Sequence, residues 1–136
     1  MSKERFDERK AELQNAARRL REAVAQPESG LVRDAVIQRF EFTFELGWKS
    51  LKLFLERQGV ECGGPRSTFK KAFAESLIDS RENADKWLRM LDDRNLTSHA
   101  YDEAPARRIF NHVVRDYAAL LWQMAEQIQT LSWEWI

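Results

Sequence analysis

The stretch RFEFTFELGWKSLK, residues 39–52, decides the fold of this chain. It lies in a long segment between two breaks, at Gly30 and Gly59. Large apolar residues recur in this segment every three or four positions, the spacing of one face of an α-helix. The first apolar row is Val32, Val36, Phe40, Phe44, Trp48, Leu51 and Leu55, and a second row is Phe42, Leu46 and Leu53. A helix with two apolar sides is either central in a bundle or shared with a second chain.

Glycine and proline clusters divide the rest of the chain into further helix-forming segments. None of these segments holds the period-two alternation of a half-buried strand. Four long helices with short connections therefore predict an all-α, up-and-down four-helix bundle, with one additional short helix. The predicted helices cover residues 3–26, 30–59, 65–78, 82–98 and 102–131.

The chain is expected to form a single domain over residues 1–136, with a core at about 8–130 and a C-terminal tail at 131–136. In the tail, Trp133, Trp135 and Ile136 either dock on the bundle, join an interface or fray. The helix over 82–98 is expected to bury Trp87, Leu88, Leu91 and Leu96.

The charge balance limits the kinds of partner. Lys+Arg and Asp+Glu both number 22, and this zero net charge argues against sequence-blind coating of nucleic acid, although not against a small local site. The single Cys62 rules out an internal disulfide and fits a reducing compartment. The charged N-terminus has no apolar core of a signal peptide, and no apolar run approaches the roughly 20 residues of a membrane span. We therefore expect a soluble, cytoplasmic protein without membrane association.

Polar residues concentrate in RNLTSHAYDE, residues 94–103, between two predicted helices. Asp102 is expected to be a helix N-cap, so the preceding helix has ended there and Tyr101 is free to project. This segment is either a polar helix end or a working site. Its candidate residues are Arg94, Asn95, Ser98, His99 and Tyr101.

Several other kinds of site are not predicted. The sequence holds no Gly-rich phosphate loop, no nucleophile elbow and no clustered Cys/His set for a metal, and no cofactor is implied. His112 is expected to have a surface or packing role. Glu45, flanked by Phe44 and Leu46, is either solvated or a buried partner for an arginine such as Arg94.

At these residues the sequence resembles the HEPN domains, specifically the HepT-like group, also called nucleotidyltransferase substrate-binding proteins. The motif of that group, Arg, a short spacer and His-x-Tyr, corresponds here to Arg94, His99 and Tyr101, with Asn95 after the arginine. RFEFTFELGWKSLK resembles the Phe-x-x-x-x-Glu-x-x-Trp-Lys helix of the group. The segment GGPRSTFKKAF, residues 63–73, is also similar.

The resemblance implies a homodimeric HEPN-like bundle whose Arg/His pairs meet at the dimer interface. Such proteins are commonly metal-independent endoribonuclease toxins, and their antitoxin is a separately encoded nucleotidyltransferase of the MNT type. That partner can transfer AMP to the motif tyrosine, which corresponds to Tyr101.

These implied roles agree with elementary chemistry. Histidine titrates near pH ~6.5 and can serve as base or acid in attack of an RNA 2′-hydroxyl on the adjacent phosphorus. Arg94 can hold phosphate oxygens with paired donors, while Asn95 and Ser98 can orient phosphate or imidazole. The alternative is a non-catalytic bundle that partners a nucleotidyltransferase and presents its substrate. A third alternative is a helical dimer whose polar cluster merely ends a helix.

Overall fold

A computed structural model describes residues 3–134, apart from the side chain of His99. All regular elements within this range are helical, and the prediction of an all-α bundle with an additional short helix is confirmed. The α-helices are α1 (Lys3–Val24), α2 (Gly30–Arg57), α3 (Pro65–Ala74), α4 (Arg81–Asn95), α5 (Glu103–His112) and α6 (Ala118–Gln129). A 3-10 turn covers Thr97–His99, and a π-helical turn covers Val113–Tyr117.

The long helix α2 is central in the bundle. It packs against α1, α3, α5 and α6, which explains why its sequence is apolar on more than one side. Its start is fixed by Ser29, whose hydroxyl accepts a hydrogen bond from the Val32 amide at 3.0 Å. It ends where Gly59 takes a φ of 87°, a backbone conformation that favours glycine.

Helices α5 and α6 form one continuous rod with the π turn between them, in place of the single helix predicted over 102–131. A π turn inserts one residue into the helical repeat, and such turns are frequent at functional sites. Its last residue, Tyr117, is completely buried. The π turn therefore carries a polar side chain into the core.

Two predicted helix ends were wrong, and each has a local cause. Helix α3 was expected to reach Ile78 but ends at Ala74, because Ser76 adopts a left-handed φ of 63°. Helix α4 was expected to reach residue 98 but ends at Asn95. There the Thr97 hydroxyl donates to the Arg94 carbonyl oxygen at 2.8 Å, so a side chain competes for a helical acceptor.

A continuous row of aromatic rings holds α2 against the other helices. The Phe40 ring stacks on Tyr117 with centroids 5.6 Å apart, and Phe44 meets Phe69 of α3 edge to face at 5.7 Å. Phe69 in turn lies 5.0 Å from Trp87 of α4. These contacts fix the position of α4, whose C-terminal end carries the candidate site residues.

Two apolar residues do not lie where the patterns placed them. Phe42 is 61% exposed although Leu46 and Leu53 of the same row are buried. Leu96, expected in the core, is 38% exposed, because α4 ends before it. Among the described residues, no helix has the length and apolar character needed to cross a membrane.

The start of the C-terminal tail docks on the bundle. Trp133 is 9% exposed and stacks on Phe6 of α1 with ring centroids 4.9 Å apart. Of the three arrangements considered for the tail, Trp133 therefore adopts the docked one. Trp135 and Ile136 lie outside the described residues.

Candidate functional site

The candidate segment is a tight connection between α4 and α5. Arg94 and Asn95 form the last turn of α4, and the 3-10 turn Thr97–His99 follows one residue later. Thr97 is buried and anchors the turn through its bond to the Arg94 carbonyl. Asp102 then precedes α5 as its N-cap residue, although its side chain makes no capping bond. The motif residues are thereby gathered at one end of the bundle on a short, anchored loop.

Arg94 turns toward α2 and pairs with Glu45. Its Nη2 lies 3.3 Å from Glu45 Oε1, and both side chains are about one-third exposed. Glu45 also accepts a hydrogen bond from the Trp48 indole at 3.3 Å and lies 3.5 Å from Lys49 Nζ. Glu45 was expected to be either solvated or a buried partner of an arginine such as Arg94; it pairs with Arg94 but stays about one-third exposed. These contacts orient the guanidinium group from the opposite helix.

The Nε–H group of Arg94 is buried and makes no hydrogen bond within the described part of the chain. A buried donor without an acceptor is unfavourable by about 1–3 kcal/mol. Solvent does not reach this nitrogen, but the Arg94 side chain as a whole is 30% exposed and carries a positive charge that an anion can approach. Arg94 is therefore a suitable contact for a phosphate.

The side chains of the remaining motif residues are exposed to solvent or lie outside the described part of the structure. Asn95 and Ser98 are exposed, and Tyr101 is 83% exposed. The backbone of His99 closes the 3-10 turn, but its side chain lies outside the described structure. The structure thus brings together Arg94 and Glu45, and it presents Tyr101 to solvent.

A second polar cluster lies directly beneath the candidate segment. Asp93, which is 6% exposed, has one carboxylate oxygen, Oδ2, 2.6 Å from both His112 Nδ1 and the Tyr117 hydroxyl. Tyr117 donates its proton to this oxygen. Burial, the hydrogen bond to Asp93 and the negative charge of Asp93 together raise the pKa of Tyr117 above its usual value of about 10. The cluster ties the last turn of α4 to the α5–α6 rod.

Sequence reasoning missed this cluster. His112 has the packing role that was expected, but with a specific partner, Asp93, that was not foreseen. One signal was available, because a tyrosine at a core position of a helix normally needs an acceptor for its hydroxyl group. Nothing in the pattern of α4 indicated that Asp93 would be this acceptor.

Replacing Tyr117 by phenylalanine tests the cluster. The ring and its packing on Phe40 remain, but Asp93 loses a donor, so we expect the free energy of unfolding to fall by about 1–3 kcal/mol. In the wild type, the folded chain holds the phenolic proton more tightly than the unfolded chain. Stability should therefore decrease as the pH rises above about 10, and this decrease should be smaller in the variant.

Urea denaturation at neutral and alkaline pH measures both effects. The matched control is Tyr101→Phe, which alters the only other tyrosine, at an exposed position. This control should leave stability unchanged at neutral pH. A Tyr117→Phe protein as stable as the wild type would contradict the contribution of the hydrogen bond.

The fold is that of a HEPN-like helical bundle. The family described as "Nucleotidyltransferase substrate binding protein like" matches residues 8–130, nearly the whole chain. The chain therefore belongs to this family, as the motifs at residues 39–52 and 94–101 predicted.

The known proteins that resemble the chain include a curated relative and a solved structure. "Probable ribonuclease HepT" of Haemophilus influenzae is 30% identical over 82 residues, which cover 57% of this chain and 54% of that protein. The match thus spans about half the length of that relative. A crystal structure of a protein from Thermus thermophilus is 39% identical, with a TM-score of 0.79, and the match covers 86% of this chain and 98% of the other.

Proposed function

We propose that the chain is a metal-independent endoribonuclease, the toxin of a cytoplasmic toxin–antitoxin pair. The observation that carries the proposal is the intact Arg94, His99, Tyr101 motif on an anchored loop, with Arg94 oriented by Glu45. Membership of the nucleotidyltransferase substrate-binding family supports it. The similarity to a protein named as a probable ribonuclease supports the choice of RNA as substrate.

The proposed reaction uses groups of the chain alone. His99 takes the proton of an RNA 2′-hydroxyl, whose oxygen attacks the adjacent phosphorus while the bond to the 5′-oxygen breaks. A second imidazole gives its proton to that leaving oxygen. Arg94 stabilises the negative charge that gathers on the phosphate oxygens. Asn95 and Ser98, both exposed beside Arg94 and His99, orient the phosphate.

The need for two imidazoles accounts for a homodimer. Two copies of the chain would supply two His99 side chains to one cleft, one as base and one as acid. His112, the only other histidine, is engaged with Asp93 and does not meet this need within one chain.

The proposed antitoxin is an MNT-type nucleotidyltransferase that modifies Tyr101. The phenolic oxygen attacks the α-phosphorus of ATP, a new oxygen–phosphorus bond forms, and pyrophosphate leaves while a base on the partner takes the phenolic proton. Tyr101 suits this role because it is 83% exposed on a loop. The added AMP places bulk and negative charge two residues from His99 and blocks RNA.

Co-expression with an adjacently encoded nucleotidyltransferase tests the acceptor. Mass spectrometry should find an AMP adduct on the peptide that contains Tyr101 and none in Tyr101→Phe. The buried Tyr117 is the internal control and should stay unmodified. The proposed modification would be contradicted if no adduct forms and the partner inhibits the Tyr101→Phe variant as strongly as it inhibits the wild type.

Expression of the chain without its partner tests the function as a whole. We expect slowed growth and fragmented RNA, and both should be relieved when the nucleotidyltransferase is co-expressed. Normal growth with intact RNA, although the folded chain accumulates, would count against the toxin.

A second function is a non-catalytic subunit that binds a nucleotidyltransferase and presents or shapes its substrate. The family description favours it directly. It shares the fold and the partner with the first proposal but predicts that the chain leaves RNA intact. Only the nuclease proposal requires His99 to transfer protons.

A further inference from the structure

An open cleft of about 660 Å³ lies between α3 and α4, beside the candidate segment. Its size falls within the range of about 300–1,000 Å³ that small-ligand sites occupy. The start of α3 forms one wall, and Leu91 and Asn95 of α4 form the other. Asn95 is also one of the residues that the proposed function assigns to the phosphate, so the cleft and the proposed active site share this residue.

The lining of the cleft is cationic, although the chain as a whole has no net charge. Arg66, Lys70 and Lys71 all contribute to it, and Ser67 adds a hydroxyl group. The first turn of α3 lies in the same wall, and the positive end of the helix dipole adds to the charge of these side chains.

None of these three cations has a contact in the described part of the chain that would prevent it from binding a ligand. Arg66 pairs with Asp92 of α4 at 3.0 Å, but both side chains are more than half exposed, and such pairs contribute little stability. Lys71 donates to the backbone carbonyl oxygen of Glu61, which carries no charge. Lys70 is exposed and forms no ion pair with any described residue. Among the described ion pairs, only that of Arg66 with Asp92 involves one of these three cations.

From these observations we infer that the α3–α4 cleft binds the backbone phosphates of single-stranded RNA next to the scissile bond. This inference rests on the proposed nuclease function. An RNA strand whose phosphate lies at Arg94 continues in both directions, and this cationic cleft is lined by Asn95, the residue that follows Arg94. Its cationic side chains suit contacts with phosphates, which position a strand without selecting its sequence.

The test is binding of a fluorescent 2′-O-methyl RNA oligonucleotide, which lacks the attacking hydroxyl group, to the full chain. Arg66→Gln and Lys70→Gln should each weaken binding about two- to fivefold, the effect of losing one exposed ion pair. Each should also reduce the slope of log affinity against log salt by about 0.7. Asp92→Asn should strengthen binding by a similar factor, because it removes the competing carboxylate.

Matched controls separate the cleft from overall charge. Arg18 pairs with Glu22 on α1 at 2.7 Å, with exposures of 55% and 57% that match the 51% and 64% of Arg66 and Asp92. Arg18→Gln and Glu22→Gln change the net charge equally but should not alter binding. Equal effects in both pairs, or no effect of the cleft variants, would overturn the inference.

Cleavage of ordinary RNA distinguishes this inference from the proposed function. If the cleft variants weaken RNA binding but the wild type does not cleave RNA, the nuclease proposal is rejected and the RNA site in the cleft is retained. If the wild type cleaves RNA but the cleft variants bind RNA as tightly as the wild type, the nuclease proposal is retained and the RNA site in the cleft is rejected. Cleft variants that bind RNA normally but lose a co-purifying nucleotidyltransferase would assign the cleft to the protein partner and overturn the RNA site.

Discussion

Replacing His99 by alanine is expected to lower the rate of RNA cleavage by about 10²–10⁴-fold, the usual contribution of general acid–base catalysis. The effect should fall on the catalytic rate constant, since in the proposed mechanism the imidazole transfers protons, while phosphate binding is assigned to Arg94 and the α3–α4 cleft. The measurement is single-turnover cleavage of a labelled RNA by the purified chain. His99→Asn should be equally impaired, because an amide keeps hydrogen bonding but cannot carry the proton.

His112→Asn is the matched control for this prediction. His112 is partnered by the buried Asp93, so its replacement should lower stability rather than the rate of chemistry at temperatures where the variant is folded. If cleavage survives in His99→Ala but disappears in folded His112→Asn, the proton transfer belongs to His112 and the proposed role of His99 is contradicted.

Replacing Arg94 by lysine should lower cleavage by about 10²–10³-fold, the cost of losing one preorganised stabiliser of transition-state charge. Lysine keeps the positive charge but loses the planar, paired donors of the guanidinium group that match phosphate oxygens. The same single-turnover assay measures the loss. Arg39→Lys is the control, since Arg39 is also half-buried but donates to the backbone carbonyl of Arg19 on α1. It should cleave RNA like the wild type.

A double-variant comparison tests whether Glu45 acts through Arg94. Glu45→Ala should reduce cleavage by releasing the guanidinium group, whose Nη2 lies 3.3 Å from the carboxylate. If Glu45 only positions Arg94, the Arg94→Ala/Glu45→Ala double variant should cleave no more slowly than Arg94→Ala. If the losses of the two single variants instead multiply in the double variant, Glu45 has a role separate from Arg94.

The bundle itself could be predicted because its signals are local and periodic. The apolar rows of α2 mark its helical period, and Gly59 ends it with a positive φ. The ends of α3 and α4 could not be predicted so well. They depend on the backbone conformation of Ser76 and on one hydrogen bond from Thr97, which neither composition nor period encodes.

The candidate site, like the bundle, could be predicted only in part. The candidate residues could be named from the concentration of polar side chains at a predicted helix end, and their roles from the resemblance to the HepT-like group. Glu45 was a possible partner of Arg94 before its position was known. The choice between solvated and paired Glu45 depends on how α2 lies against α4, which only the folded chain determines. Asp93 could not be recognised at all, because its partners are 19 and 24 residues away on another helix.

The most direct test of the central claim is the chemistry of the RNA ends produced by the purified chain. In the presence of EDTA, the proposed attack of the 2′-hydroxyl group predicts fragments with a 2′,3′-cyclic phosphate and a free 5′-hydroxyl group. An oligonucleotide with 2′-deoxy residues throughout should remain intact. If the folded chain leaves ordinary RNA uncut while it still binds its nucleotidyltransferase, the nuclease account is contradicted and the substrate-binding subunit is the function that stands.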